Sequence, residues 1–178
     1  MKKNITGILV LCICFIAGCA TVQSIVRSTF PYTATLIIPA SATANDARSA
    51  SSSASSFDQI FSGQGSNTSM VKEVRMASAK LEASNPADQN LGVFKSVKIY
   101  LSKGDGSDET LVATRTDVST NVGNSLVLDI DNSRFLDDVL KGSSVKVRME
   151  YVLRNSLNVD ASVRVRLGFS TNPEAATK

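Results

Sequence analysis

Two stretches of this chain alternate with a strict period of two. In Ser144 to Arg154 the odd positions Val145, Val147, Met149, Tyr151 and Leu153 are apolar, and in Ala161 to Ser170 the same holds for Val163, Val165, Leu167 and Phe169. Successive side chains of a strand point to opposite faces, so this pattern demands extended chain with one face against a core and one against water. A helix would spread the same residues around its axis. The even positions carry Lys146, Arg148, Glu150, Arg154, Arg164 and Arg166. The link Asn155 to Asp160 predicts a hairpin, in which Glu150 opposite Arg164 or Arg166 would form a cross-strand pair.

Earlier segments repeat the theme. Thr33 to Ile38 is β-branched and closed by Pro39, which suits a strand at a sheet edge. Val74, Met76, Ser78 and Leu81 suggest a strand between Val71 and Ala83, stopped by Asn85-Pro86-Ala87-Asp88, although Val71 to Arg75 could also continue as a helical turn. Val97, Ile99 and Leu101 alternate with Lys98, Tyr100 and Ser102, and the loop Gly104 to Ser107 predicts a hairpin with Thr110 to Arg115. Leu126, Leu128 and Ile130 mark one further strand. Only Phe135, Leu136, Val139 and Leu140 fall at helical spacing, between a capping cluster at Asp131-Asn132-Ser133 and Gly142, which predicts one helix of about two to three turns. Phe57, Ile60 and Phe61 suggest a short amphipathic turn. Ser41 to Ser56 is almost wholly Ser, Ala and Thr, so it reads as a flexible surface loop with too little apolar surface to offset its ordering entropy. The whole predicts a mainly β antiparallel sandwich, immunoglobulin-like or jelly-roll-like, with one short helix.

The N-terminus has another logic. Lys2 and Lys3 precede an apolar run from Ile5 to Ile16, and Ala17, Gly18 and Cys19 follow. A basic start, a short apolar core and small residues before a cut describe a signal peptide, and the run falls short of the roughly 20 residues that span a bilayer. Ile16-Ala17-Gly18-Cys19 resembles the lipobox of bacterial lipoproteins, which implies cleavage between Gly18 and Cys19 and a diacylglycerol thioether on Cys19. Ala20 stands where that family often carries an inner-membrane retention aspartate, so the resemblance implies the outer membrane. The expected organisation is a leader over 1–18, a lipidated tether over 19–30 and a single domain over 31–178.

Cys12 and Cys14 would leave with the leader, so the mature chain would hold one thiol and no internal disulfide. Histidine is absent, which removes Ser-His-Asp triads, imidazole bases and His-ligated metals. Without Lys2 and Lys3 the charge is 17 basic against 16 acidic groups, giving no general attraction for nucleic acid.

Three groups remain as candidate sites. Lys146, Arg148, Arg164 and Arg166 could form a weak patch for anions, against the simpler reading of a solvated sheet face. The loop acids Asp105, Asp108 and Glu109, and the group Asp129, Asp131, Asp137 and Asp138, are the carboxylate clusters, but neither has the spacing of a calcium loop or an evident hydrolytic pair. No catalytic residue, metal or cofactor is assigned. From about Val71 to Phe169 the pattern resembles small β-sandwich lipoproteins of bacterial envelopes. That resemblance implies a non-enzymatic, membrane-anchored binding or assembly module with an envelope partner. The alternatives are an accessory glycan-binding module and a carboxylate-dependent hydrolase.

Overall fold

The computed structural model describes residues 29–55, 71–140 and 144–173. The leader, Cys19, the Phe57 to Phe61 turn, Ser56 and Gly142 lie outside the described residues. Two antiparallel sheets pack face to face. One holds β1 (Thr29–Ile38), β9 (Ala161–Pro173), β3 (Val71–Asn85) and β6 (Ser125–Val127) in that order. The other holds β2 (Ala47–Ser55), β8 (Ser144–Leu153), β4 (Phe94–Lys103), β5 (Thr110–Arg115) and β7 (Asp129–Ile130). The pairings β1 with β9, β2 with β8, β3 with β6 and β4 with β5 nest inside one another like a long hairpin folded over. That nesting across two sheets is the jelly roll, and it selects this one of the two sandwich types expected.

The alternation does what its period requires. Val145, Val147, Met149, Tyr151 and Leu153 are buried from one sheet, and Val163, Val165, Leu167 and Phe169 from the other. The two strands do not form the expected hairpin, however. Asn155 to Asp160 carries the chain from one sheet to the other, so the two apolar stripes face each other across the core. One-sided alternation fits both arrangements, and the nested pairing decides between them.

Bulges adjust the phase where a simple alternation fails. In β3 the register with β9 shifts between Met76 and Ser78, after Val74 and Met76 have pointed inward. Ser78, expected inside, is therefore exposed, and Ala79 and Leu81 take the buried positions. In β5 a similar shift lets the adjacent Val112 and Ala113 both be buried. The Leu126 to Ile130 segment, expected as one strand, turns a corner instead. Leu126 is buried from β6, the Leu128 amide donates to the Ala79 carbonyl at 3.0 Å, and β7 joins the opposite sheet.

Two further expectations need correction. Ala47 to Ser55, read as part of a flexible loop, is a strand paired with β8 over nine consecutive positions without a shift. A sheet edge needs backbone pairing more than apolar side chains, and β8 supplies that pairing, while Ala50 packs against the core. The helix is also shorter than its spacing suggests: α1 is the single turn Asp137–Leu140. Ahead of it the Leu136 amide donates to the Val74 carbonyl at 2.8 Å, and Asp131 closes its own small turn on the Ser133 amide and hydroxyl at 2.9 and 2.6 Å. Tertiary bonds thus hold the residues that would have formed the first turns.

Polar loops close the end of the sandwich where β8 passes to β9. Arg154, expected among outward cations, reaches across the loops, with Nε donating to the Gly92 carbonyl at 3.2 Å and Nη2 to that of Val118. Asn90 donates to the Thr120 carbonyl at 2.8 Å. A Cβ on Gly92 would stand 2.1 Å from the Thr120 carbonyl oxygen, so only glycine fits there.

Placing a carboxylate at Val147 or Leu167 should cost several kcal/mol even after its pKa rises, because both side chains are fully enclosed. The exposed Thr33→Asp on β1 should change stability by no more than about 0.5 kcal/mol. Denaturant melts of the three variants check this. Equal losses would contradict the inward facing of the odd positions. Hydrogen exchange checks β2, whose amides bonded to β8 should be protected far more than those of the exposed turn Gly104 to Ser107, whose bonds are local.

Candidate functional site

The sheets separate the four cations expected to form one patch. Lys146 and Arg148 lie on β8 and Arg164 and Arg166 on β9, with the core between them, so their outward faces are on opposite sides of the molecule. The anionic-ligand patch of four residues is not assembled.

Arg148 is instead the hub of a network on the outer face of its sheet. Its Nε and Nη2 donate to the two Glu109 oxygens, both at 2.7 Å. The guanidinium also lies over Tyr100, its directly paired neighbour on β4, 4.2 Å from the ring centroid. Such a planar fork suits a carboxylate and a ring together, which a lysine could not match. Next along the sheet, Lys98 donates to Glu150 at 2.9 Å, and Glu150 stands 3.7 Å from Arg148. The expected pairing of Glu150 with Arg164 or Arg166 does not form, since the strands lie in different sheets. The hydrogen bond from Arg148 holds the Glu109 carboxyl below its ordinary range, and Glu109 in turn raises the arginine.

The acids have local partners too. Asp105 accepts from the Ser107 amide and hydroxyl, which lowers its pKa, and Asp108 pairs with Lys103. Asp129 is 3.4 Å from Arg115, and Asp137 accepts from the Val74 amide at 3.1 Å. Asp138, Asp108 and Glu109 line an open depression of about 520 Å³ with Lys103, Thr110 and Phe135. Among the described residues no three metal-ligating side chains gather around a common point.

The described aromatic rings offer little to a sugar. Tyr151 is buried, and burial pushes the Tyr32 phenol up to about 12. Tyr100 lies beneath Arg148, and Phe135, though half exposed, is covered by the Arg75 guanidinium 3.9 Å from its centroid. Among the described residues, the rings of Tyr32, Tyr100, Tyr151 and Phe135 thus leave no open stacking platform.

The feature that sequence reasoning missed lies on the outer face of the other sheet. Pro31 on β1 pairs with Gly168 on β9, and Gly168 pairs with Ser78 at the β3 bulge. These small residues with Ala77 floor a mostly apolar groove of about 550 Å³, and Val127, 67% exposed, stands beside them. Ala79, Leu128, Ile130 and Leu167 add to the apolar lining, and Lys80 and Arg166 are its two charged members. They share Glu82, at 3.0 and 2.6 Å, whose pKa is lowered first by the Lys80 hydrogen bond. The available signal was Gly168: a glycine inside a patterned strand marks a bulge or a close approach.

No family model matches the chain, and no curated protein sequence matches it either. Among solved structures, a similar chain comes from the empty head of turnip yellow mosaic virus, at 8% identity and a TM-score of 0.25, with 88% of this chain and 87% of that one covered. A likeness of that size carries no argument about fold or function.

Glu109 and Arg148 should couple by about 1 kcal/mol or less, the discount reflecting their partial exposure. A double-mutant cycle of Glu109→Gln and Arg148→Met measures it. Because the folded-state pKa of Glu109 is lowered, its contribution is present above the ordinary glutamate pKa and is lost as pH falls through the lowered value. The coupling should therefore persist at neutral pH and vanish on acidification; a zero coupling at pH 7 would show the bidentate pair to be energetically idle.

Proposed function

We propose that this chain is a lipid-anchored protein of the bacterial cell envelope, held at the outer membrane through Cys19, whose jelly-roll domain is a non-enzymatic binding or assembly module. The observation that carries the anchor is the leader itself, ending in Ile16-Ala17-Gly18-Cys19. Nine residues, Ala20 to Ser28, separate Cys19 from β1, a tether that reaches at most ~30 Å when extended. No helix among the described residues is long and apolar enough to cross a membrane.

Strand geometry supports a particular presentation. Thr29 pairs with Ser170 near the far end of β9, so the tether joins the sandwich at the end that also carries Gly104 to Ser107 and α1. The end closed by Arg154, Asn90 and Gly92 is the opposite one. In this reading a partner in the envelope meets one of the broad faces between the two ends. For a binding role, the apolar groove flanked by Lys80 and Arg166 is the most distinctive surface. For catalysis, the absence of histidine and the local pairing of Glu109, Asp108, Asp105 and Asp137 supply no obvious acid-base pair.

Cys19→Ser should block lipid attachment and shift the protein out of the outer-membrane fraction, as unprocessed precursor or soluble product. Fractionation with intact-mass measurement tests the anchor, and an unchanged membrane-bound form with a free mature thiol in the parent protein would refute it. Gentle crosslinking in native membranes, followed by capture of the chain, tests the assembly role by asking whether a defined envelope component is recovered in stoichiometric amount.

A further inference from the structure

We propose that the groove across the outer face of β1, β9, β3 and β6 binds a single-chain anionic amphiphile, with its alkyl chain on the floor and its carboxylate or phosphate beside Lys80 and Arg166. Shape and charge point the same way. The lining is mostly apolar, and its volume of about 550 Å³ falls in the range of small-ligand sites. The groove lies on the face of a sheet whose strands β1, β9 and β3 already pair with one another, so an extended peptide would find little main-chain pairing there, whereas an alkyl chain needs none.

The floor is built by backbone devices that converge on one row. Pro31, Gly168 and the bulged Ser78 lie side by side on three adjacent strands, and each leaves the sheet surface low. Val127 raises an apolar wall beside them at a place where a solvated sheet would ordinarily carry a polar side chain. Lys80 and Arg166 share the carboxylate of Glu82, leaving a net positive charge, and among the described residues no acidic one lines the groove. An anionic head group would meet the two cations without displacing a carboxylate from the lining.

This inference gives the binding-module reading a ligand class, and it does not depend on the lipid on Cys19. A dodecanoic acid probe bearing a photoreactive diazirine near its chain end tests it on the full chain mixed with phosphatidylcholine vesicles. Flotation of the vesicles reports the anchor, and peptide mapping of the label reports the groove, so the two readings fail separately. Label is expected on the peptides carrying Pro31, Ala77, Ser78 or Val127, and unlabelled dodecanoate should compete for it better than dodecanol. Gly168→Val should fill the floor and abolish labelling, read only on protein whose thermal melt matches the parent, and Val127→Lys, at a 67% exposed position, should weaken labelling with the fold untouched. Arg166→Gln should weaken dodecanoate competition about two- to fivefold, the range of an exposed ion pair, and leave dodecanol unchanged. Labelling spread over the surface, equal competition by dodecanol, capture only by anionic vesicles in place of the free probe, or full labelling of folded Gly168→Val would each overturn the proposal.

Discussion

Everything in this domain depends on one dry layer between two sheets, made by strands whose inward residues are apolar along β8 and along β9 as far as Phe169, before the buried Thr171. The apolar positions of the two strands face each other across the interior: Val145, Val147 and Met149 from one side, Val163, Val165 and Leu167 from the other. With no disulfide among the described strands, cohesion rests on burial and on ladder hydrogen bonds. Each enclosed Val or Leu contributes roughly 1.5–3 kcal/mol in transfer free energy, against an ordering cost of similar total size. A margin so small leaves no room for an inward polar error, which is why the alternation is strict in the central strands and relaxed at the edges.

The relaxation at the edges is itself informative. β2 keeps nine positions in register with side chains that are almost all Ser or Ala, because only its inner face meets the core and only at the rim. β6 and β7 are short and change sheets, and the bulges of β3 and β5 reset which parity faces inward. Polar closure of the loop end by Arg154 substitutes hydrogen bonds to carbonyls for apolar contacts that the tapering sandwich no longer provides.

Sequence patterning was sufficient wherever one face is buried and one solvated. Val97, Ile99 and Leu101 of β4 and the odd residues of β8 and β9 are inside as their period requires. It failed where another force chose the conformation. The Ser-rich β2 has no pattern to read, since backbone pairing with β8 forms it. The first turns of the expected helix lost to bonds from Val74 and within Asp131 to Ser133. Partner choice was invisible as well: Arg148 and Arg166 have equivalent places in the two patterns, yet topology sends one to Glu109 and Tyr100 and the other to Glu82 on the opposite face. The groove escaped notice because its floor brings together Pro31, Ser78 and Gly168, which are distant in sequence and unremarkable singly.

The nested pairing also sets an order of events. β9, the last of the described strands, sits between β1 and β3, so β1 has no partner in the first sheet until β9 is available. A chain made from its N-terminus can form the local β4–β5 hairpin early but must hold β1 unpaired until β9 arrives. Long-range closure of this kind is slow, and β1 exposes an open strand edge throughout the wait. The architecture therefore makes the arrival of β9, more than any single contact, the event that commits the domain to its fold.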